Sequence, residues 1–541
     1  LYARGFDSAE KFDRCFKSSL KELRCPSTLL GMDRAVERLI EAFKSQEPVC
    51  IYADFDLDGS SGLALLKTGL ESLGFSKVIG YQPRRLAEGY GVHAAAVREI
   101  AEAGVRLMVT VDVGITAHEA LLEAKRLGMD VIVTDHHLPK ETLPEALTIV
   151  NPNQGTCTSG LGHLAGVGVA FYLFLAVRRA LRESGLAYSE TDPKELLDFF
   201  VIGTVTDMVP LIRENRVLVK HGLVQLSQTK RPGLRALIEV LGLDGRLLDS
   251  SDVGMKFAPK LNALSRLESN IRPIDMLLEN DLKKARDLAR EVLACNDRRV
   301  ETQKRGLEIA LAQLQAAKPR SCVWVWSREF HRGVVGLIAT RLSQETGMPA
   351  FVGSLGDDGR IVGSARAPKN AAANLVAALE TASAQLERFG GHAHAAGFEL
   401  EQTKVEDFRS SLESHFANAP QDSIEPVWYD AEGSFSEVDD NLMKWLDQIG
   451  PFGSGFEAPV FRFRDMRVKK VSELRGGHLR FDFLRAGGPA VSGIFFSPPR
   501  DAARLVCGDG AKTLEVLGEL QWNHFQGRKS PQLQLRDLRS L

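Results

Sequence analysis

One short stretch constrains the chain more than any other: Ile51-Tyr52-Ala53-Asp54-Phe55-Asp56-Leu57-Asp58-Gly59-Ser60-Ser61-Gly62. An apolar run ends, three aspartates follow at alternate positions, and a Gly-Ser-Ser-Gly step leads into an apolar, helix-like run from Leu63 to Leu70. Three carboxylates this close repel one another. The simplest arrangement that tolerates them is a multivalent cation held where a strand gives way to a helix. The spacing also resembles the start of an EF-hand calcium loop, but a loop of that length counted from Asp54 closes on Leu65 instead of Glu. Further ligands have to come from elsewhere.

They recur in a regular pattern. The buried-type run Leu107–Val111 ends in Asp112, and Asp130–Thr134 ends in Asp135-His136-His137. Helical stretches, among them Met32–Phe43 and residues 93–103, separate these runs. Strands alternating with helices at this spacing predict βαβ units and an α/β fold with a parallel sheet. Ligands of open parallel sheets gather outside the carboxyl ends of the strands, so Asp54, Asp56, Asp58, Asp112, Asp135, His136 and His137 are expected on one rim. A further apolar run, Phe199–Thr206, delivers Asp207. Any single Asp after a strand is more often a turn or cap residue than a ligand; the combination carries the metal reading. So many groups exceed what one octahedral ion that keeps water can use, so two ions sharing a carboxylate are expected. Imidazole beside carboxylate favours Mn²⁺, with Mg²⁺ as the alternative. Two such ions suit hydrolysis of a phosphoester or phosphoanhydride.

At 541 residues the chain exceeds a single core, and about three or four domains are expected. The expected boundaries are an N-terminal helical segment at 1–47, a catalytic α/β domain at 48–280, a long connecting helix at 281–320, a second α/β domain at 321–417, a connector at 418–459 and a small β-barrel at 460–541. The second α/β domain carries Gly363-Ser364-Ala365-Arg366 and Gly390-Gly391-His392, where small residues admit a ligand close to the backbone and Arg and His supply phosphate donors. Five short alternating runs after Val460 suit an OB-fold, a common single-strand binder. Its Phe481, Phe483, Trp522 and Phe525 are candidates for base stacking, although alternating aromatics more often fill a core. Arg462, Arg464, Arg480 and Arg528 are candidates for phosphate contact. The net charge of −2 gives no whole-chain sign of a polyanion partner, which a local basic groove would not need. Seven scattered Cys without a CxxC pair read as reduced thiols. No apolar run reaches the roughly 18 residues of a membrane span, and no signal-peptide pattern follows Leu1, so a cytoplasmic protein without membrane partners is expected.

At these motifs the chain is similar to the DHH phosphoesterase superfamily, whose name is the triplet seen here as Asp135-His136-His137. Within it the chain resembles the RecJ exonuclease family along essentially its whole length. Arg85–Gly91, Leu164–Ala170, Gly203–Leu211 with Glu214-Asn215-Arg216, Ala258–Arg266, His331–Gly336, Gly363–Arg366 and Gly390–Gly397 carry the likeness. The resemblance implies a DHH domain, a DHHA1 domain and an OB-fold-like domain. It implies Asp56, Asp58, Asp112, His136 and Asp207 as Mn²⁺ ligands, with Asp54, Asp135 and His137 as further ligands or supporting groups. Asn262, Arg266, His331, Ser364, Arg366, Gly390, Gly391 and His392 would bind substrate. It implies degradation of single-stranded DNA from the 5′ end to mononucleotides in repair and recombination, with a helicase and a single-strand binding protein as partners. Two other readings stay open: a DHH enzyme acting on small molecules or oligonucleotides, which the barrel and the RecJ-like blocks argue against, and a non-catalytic single-strand-binding scaffold, which the complete ligand motifs argue against. The chain departs from the family pattern at Ala53 and Phe55, at Val113 where Asn is usual, at Lys260, at Ser265 and at Phe330. None of the implied metal ligands is lost, so activity is expected.

Overall fold

The computed structural model describes residues 1–541 apart from 187–190, 268, 318–320, 369–372, 418–427, 475–476, 485–489, 497, 499–512, 526–527 and 541. The chain divides into two compact units. The larger comprises Pro26–Asp207 and Val224–Glu425. The other is assembled from Leu1–Cys25, Met208–Leu223 and Pro426–Leu541. No helix among the described residues is long and apolar enough to cross a membrane.

The larger unit begins with a five-stranded sheet: β1 (Val49–Ala53), β2 (Val78–Tyr81), β3 (Leu107–Val111), β4 (Asp130–Thr134) and β5 (Thr148–Val150). All pairings are parallel and the order is β2-β1-β3-β4-β5. β1 and β3 are buried along their whole length, as the near-continuous apolar runs require of strands covered on both faces. Alternation divides their side chains. Cys50, Tyr52, Met108, Val131 and Val133 pack with Val97, Ile100, Leu121 and Ala124 of the helices Ala94–Glu102 and His118–Arg126. The helices Leu57–Ser72 and Gly166–Glu183 pack on the same sheet and on each other.

The strand order reverses between β1 and β3. A ligand crevice in an open parallel sheet forms at such a reversal, outside the strand carboxyl ends. Register brings the motifs into step there: Ala53 pairs with Val111 and Val111 with Thr134, so Asp54, Asp112 and Asp135 each begin the loop after their strand. The run before Asp207 forms a helix, Leu197–Thr206, with Asp207 as its C-cap residue. Its residues are buried from Leu197 through Thr204 and run apolar without a break from Phe199 to Gly203, so no period in the sequence separates helix from strand.

A 36-residue helix, Leu282–Ala317, runs to the second sheet of this unit. That sheet has the order β6-β7-β8-β10-β9, with β6 (Val323–Ser327), β7 (Ala350–Leu355), β8 (Arg360–Arg366), β9 (Leu386–His392) and β10 (Ala395–Glu401). β6 and β7 are parallel and the rest antiparallel.

The other unit holds β11 (Ala431–Gly433), β12 (Val460–Leu474), β13 (His478–Phe483), β14 (Val491–Phe495), β15 (Thr513–Phe525) and β16 (Arg528–Ser540). Their order is β11-β12-β13-β14-β16-β15, and a further pairing of β12 with β15 closes β12 to β16 into a barrel. Closure removes the exposed edges that an open sheet of this size would present. Phe481 and Phe483 are fully buried and stacked on each other, with centroids 5.5 Å apart, in a core with Phe463, Val516 and Leu535. They are therefore core residues and not a stacking platform, a correction to their candidacy. Arg462 is engaged by Glu515 at 2.5 Å and Glu432 at 2.8 Å, and Arg464 by Glu432 at 3.1 Å, which neutralises two expected phosphate contacts. Trp522 is half-buried and donates its indole N–H to Asp447. The side chain of Phe525 lies outside the described residues. Residues far apart in sequence pin the unit together. Arg4 pairs with Asp430 at 2.7 Å, and Arg216 donates to the carbonyls of Ile449 and Pro451 while its guanidinium lies 4.0 Å from the Phe456 ring centroid.

Candidate metal centre

Asp56 caps the helix Leu57–Ser72. Its Oδ1 accepts from the N–H groups of Asp58 at 2.9 Å and Gly59 at 3.0 Å, which fixes the turn out of β1. Asp58, the second residue of that helix, is fully buried. Its Oδ2 accepts from the Gly166 N–H at 2.6 Å and its Oδ1 from the Val167 N–H at 2.9 Å, the first residues of the helix Gly166–Glu183. A carboxylate at a helix N-terminus meets unpaired N–H groups and the positive end of the dipole. Asp112 follows β3 with φ of +61°, a left-handed conformation that Asp adopts more readily than most residues.

Two glycines make these positions accessible. A Cβ at Gly166 would collide with the Cβ of Asp112, and one at Gly203 would lie 2.8 Å from Asp58 Oδ1. Neither had a functional role assigned from sequence. Their need for a bare backbone comes from carboxylates far away in the chain.

The groups converge as three overlapping clusters whose ligand atoms lie within 4.8 Å of one another: Asp54, Asp56 and Asp112; Asp58, His136 and Asp207; Asp112, His136 and His137. His136 Nε2 lies 3.1 Å from Asp112 Oδ1, 3.6 Å from Asp207 Oδ2 and 3.8 Å from Asp58 Oδ2. Of the proposed groups, only Asp135 stands outside the clusters. Its Oδ2 accepts from the Ile115 N–H, and its Oδ1 accepts from the N–H groups of His136 and His137 and lies 2.7 Å from His137 Nδ1.

Electrostatics follow from this crowding. Burial, and then the charge of Asp56, pushes Asp54 up to about 8. Burial pushes Asp58 and Asp112 well above the usual carboxylate range, reinforced by Asp207 and Asp56 for the first and by Asp58, Asp56 and Asp54 for the second. Burial and Asp56 raise Asp207 to about 7. Burial, with the His137 charge, lowers His136 to about 4, so its imidazole is neutral. Burial opposes a charge on His137, but the hydrogen bond and charge of Asp135 outweigh it and hold His137 at about 9. Burial likewise opposes the Asp135 carboxylate, and the His137 contact outweighs it, keeping Asp135 below its ordinary value.

A divalent cation fits this donor set. The buried atoms Asp54 Oδ1, Asp112 Oδ1 and His136 Nε2 have no hydrogen-bond partner among the described residues, and a bare imidazole nitrogen facing carboxylate oxygens is the arrangement a metal completes. Asp54, which the sequence ranks below Asp56 and Asp58 as a ligand, belongs to one of the clusters and has one such oxygen, whereas both oxygens of Asp58 also accept from backbone N–H groups.

Further polar residues surround the rim. Gln82 donates to the Asp54 carbonyl at 2.6 Å and the Ser60 hydroxyl at 2.8 Å. Arg85 lies 5.1 Å over the Phe55 ring and its charge acts on Asp54 and Asp56. The Tyr90 hydroxyl is 3.4 Å from His137 Nδ1. None of these has a role assigned from sequence; Arg85 and Tyr90 lie in the Arg85–Gly91 block that carries the family likeness, and Gln82 has only its place after β2 to point to it.

Of the expected substrate residues, Arg266 and Arg366 are brought near each other. Burial, then Arg85, Arg366 and Arg299, lowers Arg266 to about 10, and burial, then Arg85, lowers Arg366. The charges of Arg85, Arg266 and Arg366 thus bear on one another. Arg266 also donates to the Gly333 carbonyl at 3.2 Å, and His331 Nδ1 accepts from the Gly333 N–H. On the second sheet, Arg366, Ala395 and His392 form one cross-strand row, and Ser364, Gly397 and Gly390 form the next. Direct pairing puts Ser364, Arg366 and His392 on one face. Gly391 lies in β9, at the sheet edge. Asn262 sits in the helix Ala258–Arg266, where its carbonyl accepts from the Ser265 hydroxyl.

Comparison with known proteins agrees with this anatomy. The DHH family, N-terminal domain, matches residues 48–204, the DHHA1 domain 319–418 and the RecJ OB domain 429–537. A DHH sheet with its acidic rim, joined to a DHHA1 sheet and an OB barrel, defines the class. The single-stranded-DNA-specific exonuclease RecJ of Dickeya dadantii is 36% identical over 562 residues, covering 99% of this chain and 95% of that protein. The Escherichia coli RecJ is 35% identical over 558 residues, covering 98% and 94%. The crystal structure of RecJ from Thermus thermophilus in complex with Mn²⁺ superposes with a TM-score of 0.81 at 30% identity, covering 99% of this chain and 74% of that one. The chain belongs to the RecJ family of single-stranded-DNA-specific exonucleases.

Proposed function

We infer that the chain is a metal-dependent exonuclease that hydrolyses single-stranded DNA from its 5′ end to mononucleotides. The observation that carries this reading is the convergence of Asp54, Asp56, Asp58, Asp112, His136, His137 and Asp207 within overlapping clusters at the reversal of the parallel sheet. Bound Mn²⁺, or Mg²⁺ in its place, supplies Lewis-acid polarisation of the phosphodiester and activation of the attacking water. Asp54, Asp56 and Asp112 would hold one ion, and Asp58, His136 and Asp207 the other. Asp135 orients His137 and keeps a proton on its ring. Arg85, Arg266 and Arg366 bind the phosphate of the terminal nucleotide, with Asn262, His331, Ser364, Gly390, Gly391 and His392 lining its path. Domain limits of 48–280 for the DHH part, 321–417 for the DHHA1 part and 460–541 for the barrel suit this division of work.

Action in repair and recombination, in the cytoplasm, beside a helicase and a single-strand binding protein, accords with a nuclease that needs its strand unwound and with scattered Cys that form no CxxC pair. Digestion of single strands and duplex labelled at the 5′ or 3′ end, in Mn²⁺, tests the reading. Release of labelled mononucleotide from the 5′ end of single strands is expected, with near-complete loss in Asp112→Ala. Activity confined to dinucleotides, or full activity in that variant, overturns it.

A further inference from the structure

A cavity of about 340 Å³ lies beside the metal cluster, between the residues after β2 and those that close and follow the helix Ala258–Arg266. Phe55, Leu264 and Ile271 give it apolar walls, and its charged lining among the described residues is entirely guanidinium: Arg84, Arg85 and Arg272. Arg272 is paired with Asp275 at 2.9 Å. Arg84 is exposed and has no ion pair among the described residues. Phe55 stands between Asp54 and Asp56 in the chain, and Arg85 covers its ring, so this pair separates the cavity from the acidic cluster.

The volume falls at the lower end of small-molecule sites, about 300 to 1,000 Å³. The lining suits a flat aromatic body that carries an anion: an aromatic wall for a π-face, aliphatic walls around it, and guanidinium groups that match phosphate oxygens. No carboxylate lines it among the described residues. We propose that this cavity is a second nucleotide site, which takes a free nucleoside 5′-monophosphate with its base among Phe55, Leu264 and Ile271 and its phosphate towards Arg84 and Arg85. The inference rests on the exonuclease reading above, by which such nucleotides are released next to the cavity. Arg85 faces both places, so occupancy of the cavity draws on a cation that also faces Asp54 and Asp56. Accumulating product therefore slows digestion.

Calorimetric titration of deoxyadenosine 5′-monophosphate into the full chain in EDTA tests this, with variants of the cavity lining separating it from any binding at Arg266 and Arg366. Saturable binding is expected for the wild type and for Asp112→Ala. Arg84→Ala, at an exposed position, should weaken it about tenfold, and Ile271→Trp, which fills the cavity, should abolish it. In digestion, added nucleotide should slow the wild type, whereas Ile271→Trp should run at its own rate with or without it. No binding to the chelated wild type, or equal binding to both cavity variants, overturns the proposal. If the same wild-type preparation digests single strands, the exonuclease reading stands apart from that failure; if it digests nothing, that reading falls instead.

Discussion

His137 Nδ1 lies 2.7 Å from Asp135 Oδ1, and the other hydrogen bonds to that carboxylate among the described residues come from backbone N–H groups. The carboxylate is thus spent on holding the loop after β4 and the charge of one imidazole. Asp135→Asn keeps the shape and removes that charge. Metal affinity or turnover should fall by about 10- to 100-fold, the range for groups that orient ligands. NMR titration of His137 should show its pKa drop from about 9. An unmoved His137 titration would contradict this role.

Gly166→Ala changes no proposed ligand, yet its methyl group would press on Asp112. Overpacking of this kind costs about 1–3 kcal/mol, and the strain falls on a carboxylate already at positive φ. Mn²⁺ affinity, read by calorimetry, should weaken with little change in circular dichroism. Unaltered affinity would show that Asp112 relaxes freely.

The chelated protein should lose stability as pH rises. Asp54 goes from 3.8 unfolded to about 8 folded, so the folded state binds more protons between these values. The stabilisation is complete below the lower value and is lost as pH rises through the upper one. Thermal denaturation in EDTA should therefore give a lower midpoint at about pH 8 than at about pH 5. Mn²⁺ should reverse the trend, since metal replaces the protons. A flat profile in EDTA would be inconsistent with four crowded, protonated carboxyls.

Phe481→Ala removes a fully buried ring stacked on Phe483. A loss of about 3–5 kcal/mol is expected in the barrel, seen as a lower urea midpoint for its unfolding. If Phe481 instead stacked on DNA bases, binding would weaken while the midpoint held.

The rim of the first sheet is readable in the chain because parallel strands in register end together. Each apolar run that stops at an Asp marks the same edge, so Asp54, Asp112 and Asp135 need no tertiary information to be grouped. The Gly166 N–H that reaches Asp58, and the space that Gly203 leaves for it, are different. They depend on helices brought in from more than a hundred residues away, and a glycine in an apolar run carries no sign of what it faces. Alternation misleads in the barrel for a related reason. A period of two says that Phe481 and Phe483 share a face, but the inside of a closed barrel and a ligand-binding outside have the same period. The Arg462 network is hidden likewise, because its acidic partners Glu432 and Glu515 come from other strands.

The barrel unit draws on Leu1–Cys25, Met208–Leu223 and Pro426–Leu541, with Arg4 tied to Asp430 and Arg216 to Ile449 and Pro451. During synthesis the first of these segments leaves the ribosome hundreds of residues before its partners exist. Domains made of contiguous chain can fold as they emerge; this one cannot. Arg4 and Arg216 therefore meet Asp430 and the carbonyls of Ile449 and Pro451 only once the third segment has been made. The unit that holds the barrel therefore closes only after every segment of the larger unit has emerged.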